Sequence, residues 1–315
     1  EVGKPLSELQ TPRQLVHVVR DIAVALEALY DRNILHRDIS EGNILLSAEP
    51  DPVAGDRAFL TDFGLAMKLD PTTKLPSPDS AGHNHITGTL PFVAAIFHCP
   101  ATGQTPLSMI HHDVESLFWV AMYTVFRCAS LEGSQNTPKK ELDVIQECNG
   151  WLGDLRSSGL RGLYATKKLI LSFGEEVRLP GRWLSIRNFL SKVAALCETQ
   201  LRTALTSQSL EINPDPKNHD IGAIITEAEA VDGDSSVGLD QPAPPRNQVP
   251  QLPISGLLFA PQPRGSSEQR TSTSTRSKRL RKDDDAGYYG RRGGDLGSRE
   301  RSKRNRTGPS YQESP

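Results

Sequence analysis

The side chains in this chain best suited to chemistry are two carboxylates and a carboxamide, Asp38, Asn43 and Asp62. Asp38 and Asn43 share a polar loop between Ile34-Leu35 and Ile44-Leu45-Leu46, two short apolar runs that read as strands. Asp62 follows a further strand-like run, Ala58-Phe59-Leu60-Thr61. Carboxylate and amide oxygens are hard donors of the kind magnesium takes. A reaction that suits such a set is phosphoryl transfer, in which the protein mainly positions the reactants and neutralises charge. The spacing lets one loop put Asp38 beside an acceptor hydroxyl and Asn43 beside a metal, while the neighbouring strand brings Asp62 in from the other side. The same residues also suit a plain hairpin turn, because Asp, Asn and Gly favour tight turns. Two such motifs in order, each at a strand end, weigh toward the chemical reading.

The elements around these residues follow from pattern. Thr11-Pro12-Arg13-Gln14 has the form of a capping box with Pro at the first helical position. Leu15, Val18, Val19, Ile22, Ala25, Leu26 and Leu29 then recur at helical spacing through Tyr30, predicting a helix that leads into the loop. A turn-rich connection between Leu46 and Ala58 predicts two paired strands. From Gly64 to Thr87 the chain is polar, and Pro71, Pro76 and Pro78 argue against regular structure. Leu117 to Val125 is apolar nearly all round, as a buried helix should be. Leu142 to Leu155, Gly162 to Phe173 and Trp183 to Leu205 read as amphipathic helices, with Trp151 and Trp183 in the core.

His36-Arg37-Asp38 with Asn43, followed by Asp62-Phe63-Gly64, resembles the catalytic loop and metal loop of protein kinases. With Gly88-Thr89-Leu90-Pro91-Phe92 and His112-Asp113-Val114-Glu115-Ser116-Leu117-Phe118, the chain is similar to the fungal-type protein kinase family. The resemblance is strongest over residues 1–130 and fades through about 205. It implies an α+β fold: a protein kinase-like C-terminal lobe, mainly helical, with short β-hairpins at the catalytic cleft; composition, not the resemblance, adds a disordered tail after it. It implies transfer of the γ-phosphate of ATP to a Ser or Thr hydroxyl of a protein substrate. Asp38 would be the general base, Asn43 and Asp62 the ligands of magnesium and, through it, of ATP. Thr89 would bond Asp38. Arg37 would pair with a phosphate on the activation segment, where Thr72, Thr73, Ser77, Ser80 and Thr87 are candidate acceptors. Asp113 would open a central helix and accept hydrogen bonds from the catalytic-loop backbone.

Three departures keep other readings open. Ala94-Ala95-Ile96 stands where protein kinases commonly have Ala-Pro-Glu, so the ion pair made by that Glu is not expected. Ser40 stands two after Asp38, where most Ser/Thr kinases have a Lys, which suits a small-molecule phosphotransferase as well. The chain has no G-x-G-x-x-G and no strand Lys ahead of the loop, which suits a catalytically silent, kinase-like interaction module. The sequence starts at Glu1 inside what looks like a domain, so it reads as a fragment without its N-terminal lobe, inactive by itself. The expected organisation is a lobe over 1–205, an ambiguous connector over 206–231 and a disordered basic tail over 232–315.

Composition sets the remaining bounds. Apolar residues make up 37% of the 315, and Pro, Gly, Ser, Gln and charge dominate after Asp232. Neither a membrane span nor a signal peptide is expected, so the protein reads as intracellular, nuclear or cytoplasmic, with no membrane partner. The four cysteines form no C-x-x-C pair, so reduced thiols are expected. His83, His85, His98, His111 and His112 fit no standard ligand spacing, against a zinc site. Between Arg264 and Arg306, 14 Lys or Arg stand against 6 Asp or Glu. The clusters Lys278 to Lys282 and Arg299 to Arg306 are candidate contacts for an import receptor or nucleic acid, with a plain solvated tail as the alternative.

Overall fold

Helix α1 (Pro12–Asp31) begins where the capping box predicts. The Gln14 N–H donates to Thr11 Oγ1 at 3.1 Å, and the Thr11 N–H donates back to Gln14 Oε1 at 3.2 Å. The computed structural model describes residues 3–49, 52–76, 86–100, 106–132, 137–157, 159–174, 177–206, 221–233, 239–240 and 242. Ser77, Ser80, His83, His85 and the basic clusters of the tail lie outside them. Leu15, Val18, Val19, Ile22 and Leu26 make the buried stripe of α1, which packs against the central helix α2 (Ile110–Glu132). The last turn of α1 runs into Asn33 at φ 62°, a left-handed residue that turns the chain toward the loop.

Among the described residues, five short strands carry the loop ends. β1 (Lys4–Pro5), β3 (Ile44–Leu46) and β4 (Ala58–Leu60) form an antiparallel sheet in the order β1-β3-β4. β2 (Ile34–Leu35) pairs antiparallel with β5 (Met67–Lys68). Asp21, buried on α1, fixes the far end of the β3–β4 hairpin: its carboxylate accepts the N–H groups of Gly55 at 3.2 Å and Arg57 at 2.9 Å. β5 and a bridge between Leu69 and Pro76 correct the expectation of no regular structure after Gly64. The prolines do not prevent it, because the pairing stops short of Pro71 and uses Pro76 only at a single bridge.

Helices α3 (Lys139–Ser157) and α5 (Arg187–Thr206) join α1 around α2, which is buried over most of Ile110 to Ala129, and α4 (Leu160–Ser172) packs on α3 and α5. Trp183 lies in the core as expected; Trp151 is only half-buried at its edge. The described end of the connector packs on the body: α6 (Ile221–Asp232) buries Ile221, Ile224 and Ala228 and packs along α1. Arg20 reaches Glu229 of α6 at 3.3 Å and Arg13 donates to the Val231 carbonyl at 3.4 Å, so polar and apolar contacts together seat α6; Arg13 also reaches Asp240 beyond it at 2.8 Å. All four cysteines are buried and unbridged, and no helix among the described residues is long and apolar enough to cross a membrane.

Arg182 closes this body. It pairs with Glu132 at the end of α2 at 2.7 Å, donates to the carbonyl of Gln10 and stacks on Trp183, whose indole N–H also donates to Glu132 at 3.0 Å. Removing one partner of a buried ion pair costs about 3–5 kcal/mol, because the other charge stays buried. Arg182→Ala is therefore expected to lose about 3 kcal/mol in urea unfolding, with Glu132→Gln losing less, since the Gln oxygen still accepts from Trp183.

Candidate active site

The loop is built on one buried carboxylate. Asp113, in the first turn of α2, accepts the His36 N–H at 2.8 Å on Oδ2 and the Arg37 N–H at 2.9 Å on Oδ1. Those bonds hold Arg37 at φ 68°, a conformation non-Gly residues seldom adopt. Burial pushes the Asp113 carboxyl up, and the two N–H groups with the Arg37 charge pull it back. The His36 ring nitrogen Nε2 lies 3.1 Å from the Thr61 carbonyl, and the ring packs edge-on against Phe63 with centroids 4.9 Å apart. The Asp62-Phe63-Gly64 turn is thus tied to the His36-Arg37-Asp38 loop.

Asp38, itself nearly buried, is oriented through both oxygens. Oδ1 accepts from the Thr89 backbone N–H at 3.0 Å and from the Thr89 hydroxyl at 3.1 Å. Oδ2 accepts from the Asn43 amide at 3.1 Å, and the same amide donates to the Asp38 carbonyl at 2.9 Å. Thr89 can approach only because Gly88 precedes it. At φ 105° Gly88 is in the left-handed region, and a Cβ there would stand 2.9 Å from the Arg37 carbonyl.

The antiparallel register delivers the remaining oxygens. Ile44 faces Leu60, so Asn43 meets Thr61, whose N–H and hydroxyl both donate to the Asn43 carbonyl at 2.9 and 3.2 Å. Asp62 comes next, in a left-handed conformation at φ 60°, with Oδ1 accepting from the Gly64 N–H at 3.1 Å. With its NH2 spent on Asp38, Asn43 presents its amide oxygen, and Asp62 presents its second carboxylate oxygen. Such hard oxygen donors fit a magnesium ion. Among the described residues no group of three or more His, Cys, Asp or Glu side chains is placed to hold a metal. His98, His111 and His112 are packed instead: His112 lies edge-on to Phe97, and burial pulls the His111 imidazole down to about 4.

Of the candidate site residues, the structure brings together Arg37, Asp38, Asn43 and Thr89, and sets Asp62 beside them through the β3–β4 register. Thr72 and Thr73 belong to a turn in which Asp70 accepts from both of their N–H groups and from the Thr73 hydroxyl, a structural use of those residues. Two charged contacts gave no sequence signal that singled them out. Glu41, inside the loop, pairs with Arg127 of α2 at 3.1 Å, so α2 holds the loop at both ends. Glu115 and Lys167 are buried under the segment after Thr89: Glu115 Oε1 accepts from the Ala95 N–H at 2.7 Å and from the Trp119 indole at 2.8 Å. Lys167 donates to the Val93 carbonyl and lies 4.8 Å over the Trp119 ring. Burial pulls the Lys167 ammonium down to about 7, and the charge of Glu115 works against that fall.

A carboxylate oriented beside two oxygen donors, with a Gly-Thr segment closing on it, is the arrangement of a phosphotransferase catalytic loop. Residues 1–125 match the model of the fungal protein kinase family. The chain is similar to the serine/threonine-protein kinase PknD of Mycobacterium tuberculosis, 43% identical over 56 residues, covering 18% of this chain and 8% of that one. It is similar to the serine/threonine-protein kinase CLA4 of Eremothecium gossypii, 36% identical over 69 residues, 22% of this chain and 8% of that one. Similarity to the serine/threonine-protein kinase PkaB of Streptomyces coelicolor runs at 31% over 99 residues, 29% of this chain and 24% of that one. The chain thus spans a small part of the length of these curated relatives.

Asp113→Asn tests the anchoring carboxylate. An Asn offers one acceptor and sets its NH2 against a backbone N–H, so one loop amide stays unpaired and Arg37 loses what holds its strained backbone. The expected loss is about 2–4 kcal/mol in denaturant unfolding, from an unsatisfied buried donor together with a lost charge-assisted bond.

Proposed function

We propose that the protein is a Ser/Thr-type protein kinase, transferring the γ-phosphate of ATP to a protein hydroxyl. The observation that carries this reading is the double hold on Asp38, by Asn43 at Oδ2 and by Thr89 at Oδ1. Oδ1 takes two hydrogen bonds and Oδ2 one, so Oδ2 is the oxygen left to accept the proton of an incoming hydroxyl. Asn43 and Asp62 would hold magnesium and, with it, the phosphates. Bound ATP and magnesium would supply the phosphoryl group and neutralise its charge. The closure of Gly88-Thr89 on Asp38 favours a protein acceptor, because this segment puts backbone next to the base where an extended peptide would lie. Ser40, buried two residues after Asp38, favours the second reading, a small-molecule phosphotransferase.

The assay uses the full-length protein. Asp38→Asn is expected to cut turnover roughly 10²–10⁴-fold, the usual contribution of a general base, while leaving ATP affinity nearly unchanged. Asp62→Asn is expected to weaken magnesium-dependent ATP binding, measured by calorimetry, by at least the roughly 10–100-fold that loss of a supporting group costs a metal site. Wild-type transfer rates in both variants would rule out the kinase reading.

The basic clusters of the tail fit an intracellular protein, nuclear or cytoplasmic, that meets an import receptor. Replacing Lys278, Arg279, Arg281 and Lys282 by Ala in the tagged full-length protein is expected to shift it from nucleus to cytoplasm on imaging. If the clusters bind nucleic acid instead, affinity should fall steeply with salt, as counterion release requires.

A further inference from the structure

The segment that follows Thr89 lacks the Glu of Ala-Pro-Glu, yet two opposite charges are buried beneath it. Lys167 of α4 is fully buried, and Glu115 of α2 is nearly so. Each holds a different atom of the same three residues: Lys167 the carbonyl of Val93, Glu115 the N–H of Ala95. Trp119 lies between their roles, its indole N–H on Glu115 and its ring face under the Lys167 ammonium. Burying two charges costs several kcal/mol each, and a core of apolar side chains would usually serve stability as well. Their placement is therefore better explained by what they orient.

A continuous path of bonds runs from this pair to the reacting carboxylate. The Val93 N–H donates to the Thr89 carbonyl at 3.3 Å, the Phe92 N–H donates to the same carbonyl at 2.8 Å, and Thr89 grips Asp38 Oδ1. We propose that Glu115 and Lys167 are positioning residues for the acceptor: together they take the place of the missing Glu, fixing the Val93–Ala95 backbone so that the Thr89 turn stays closed on Asp38. The inference rests on the protein kinase reading and adds to it the residues that set where a protein hydroxyl is presented.

The test uses the full-length protein and the double variant Glu115→Gln with Lys167→Met. Gln keeps an acceptor for Ala95 and Trp119, and Met keeps the length and apolar contact over Trp119. No buried charge is stranded, as it would be in Lys167→Met alone. The double variant is expected to keep the wild-type circular dichroism spectrum and to bind ATP with unchanged affinity. Its kcat/KM for a peptide acceptor should fall on the order of 10- to 100-fold, the scale of a small misplacement of reacting groups. Hydrogen exchange at the amides from Phe92 to Ile96 should quicken, while α1 and α5 exchange as in the wild type. Wild-type peptide kinetics, or wild-type exchange over this segment, would each overturn the proposal. A wild-type protein that transfers no phosphate would overturn the kinase reading and this role with it, and exchange would then still report whether the pair holds the segment.

Discussion

The buried carboxylate of Asp113 is the constraint from which the site follows. It stands in the first turn of a helix that is buried along most of its length, and it accepts two successive backbone N–H groups from the loop. Hydrogen bonds to a charged group contribute about 1.5–3 kcal/mol each. A left-handed non-Gly residue such as Arg37 costs about 1–3 kcal/mol. The two bonds are thus large enough to hold the strained turn, and that turn aims Asp38 away from the core and toward Thr89 and Asn43. Arg127 repeats the device at the other end of the loop through Glu41, so one helix fixes the loop on both sides.

The strands contribute register in place of charge. Three residue pairs between β3 and β4 suffice to put Asn43 opposite Thr61 and hence next to Asp62. A slip of one residue would send Asn43 to the other face and separate the two oxygen donors. Asp21 guards against such a slip from a distance, because it fixes the hairpin at Gly55 and Arg57 on α1. The helix that enters the loop and the hairpin that leaves it are therefore one mechanical unit.

Much of this was legible in the sequence, for local reasons. The Thr11 capping box, the helical stripe after it and the strand–loop–strand around Asp38 depend on neighbours within a few positions, and each appears where its pattern places it. Thr89 on Asp38 and Asp113 under the loop were expected from the family resemblance. What could not be read depends on distant partners. Lys167 and Glu115 look in sequence like ordinary charges on helix faces, and only the fold puts both beneath Val93 to Ala95. The end of the connector was legible in part: Ile221, Ile224 and Ala228 stand at helical spacing, but the run is short and only the fold shows that this stripe is buried on α1.

If the geometry around Asp38 serves a protein hydroxyl, the γ-phosphate of ATP ends on Ser or Thr of a protein. The most direct measurement is to incubate the full-length protein with ATP labelled at the γ-phosphate, magnesium, a protein extract and a panel of small hydroxylated or aminated acceptors, and then to locate the label chemically. The expected result is acid-stable label in protein that hydrolyses to phosphoserine or phosphothreonine. Label recovered only in small molecules would contradict it, and so would label in neither pool under conditions where ATP is bound.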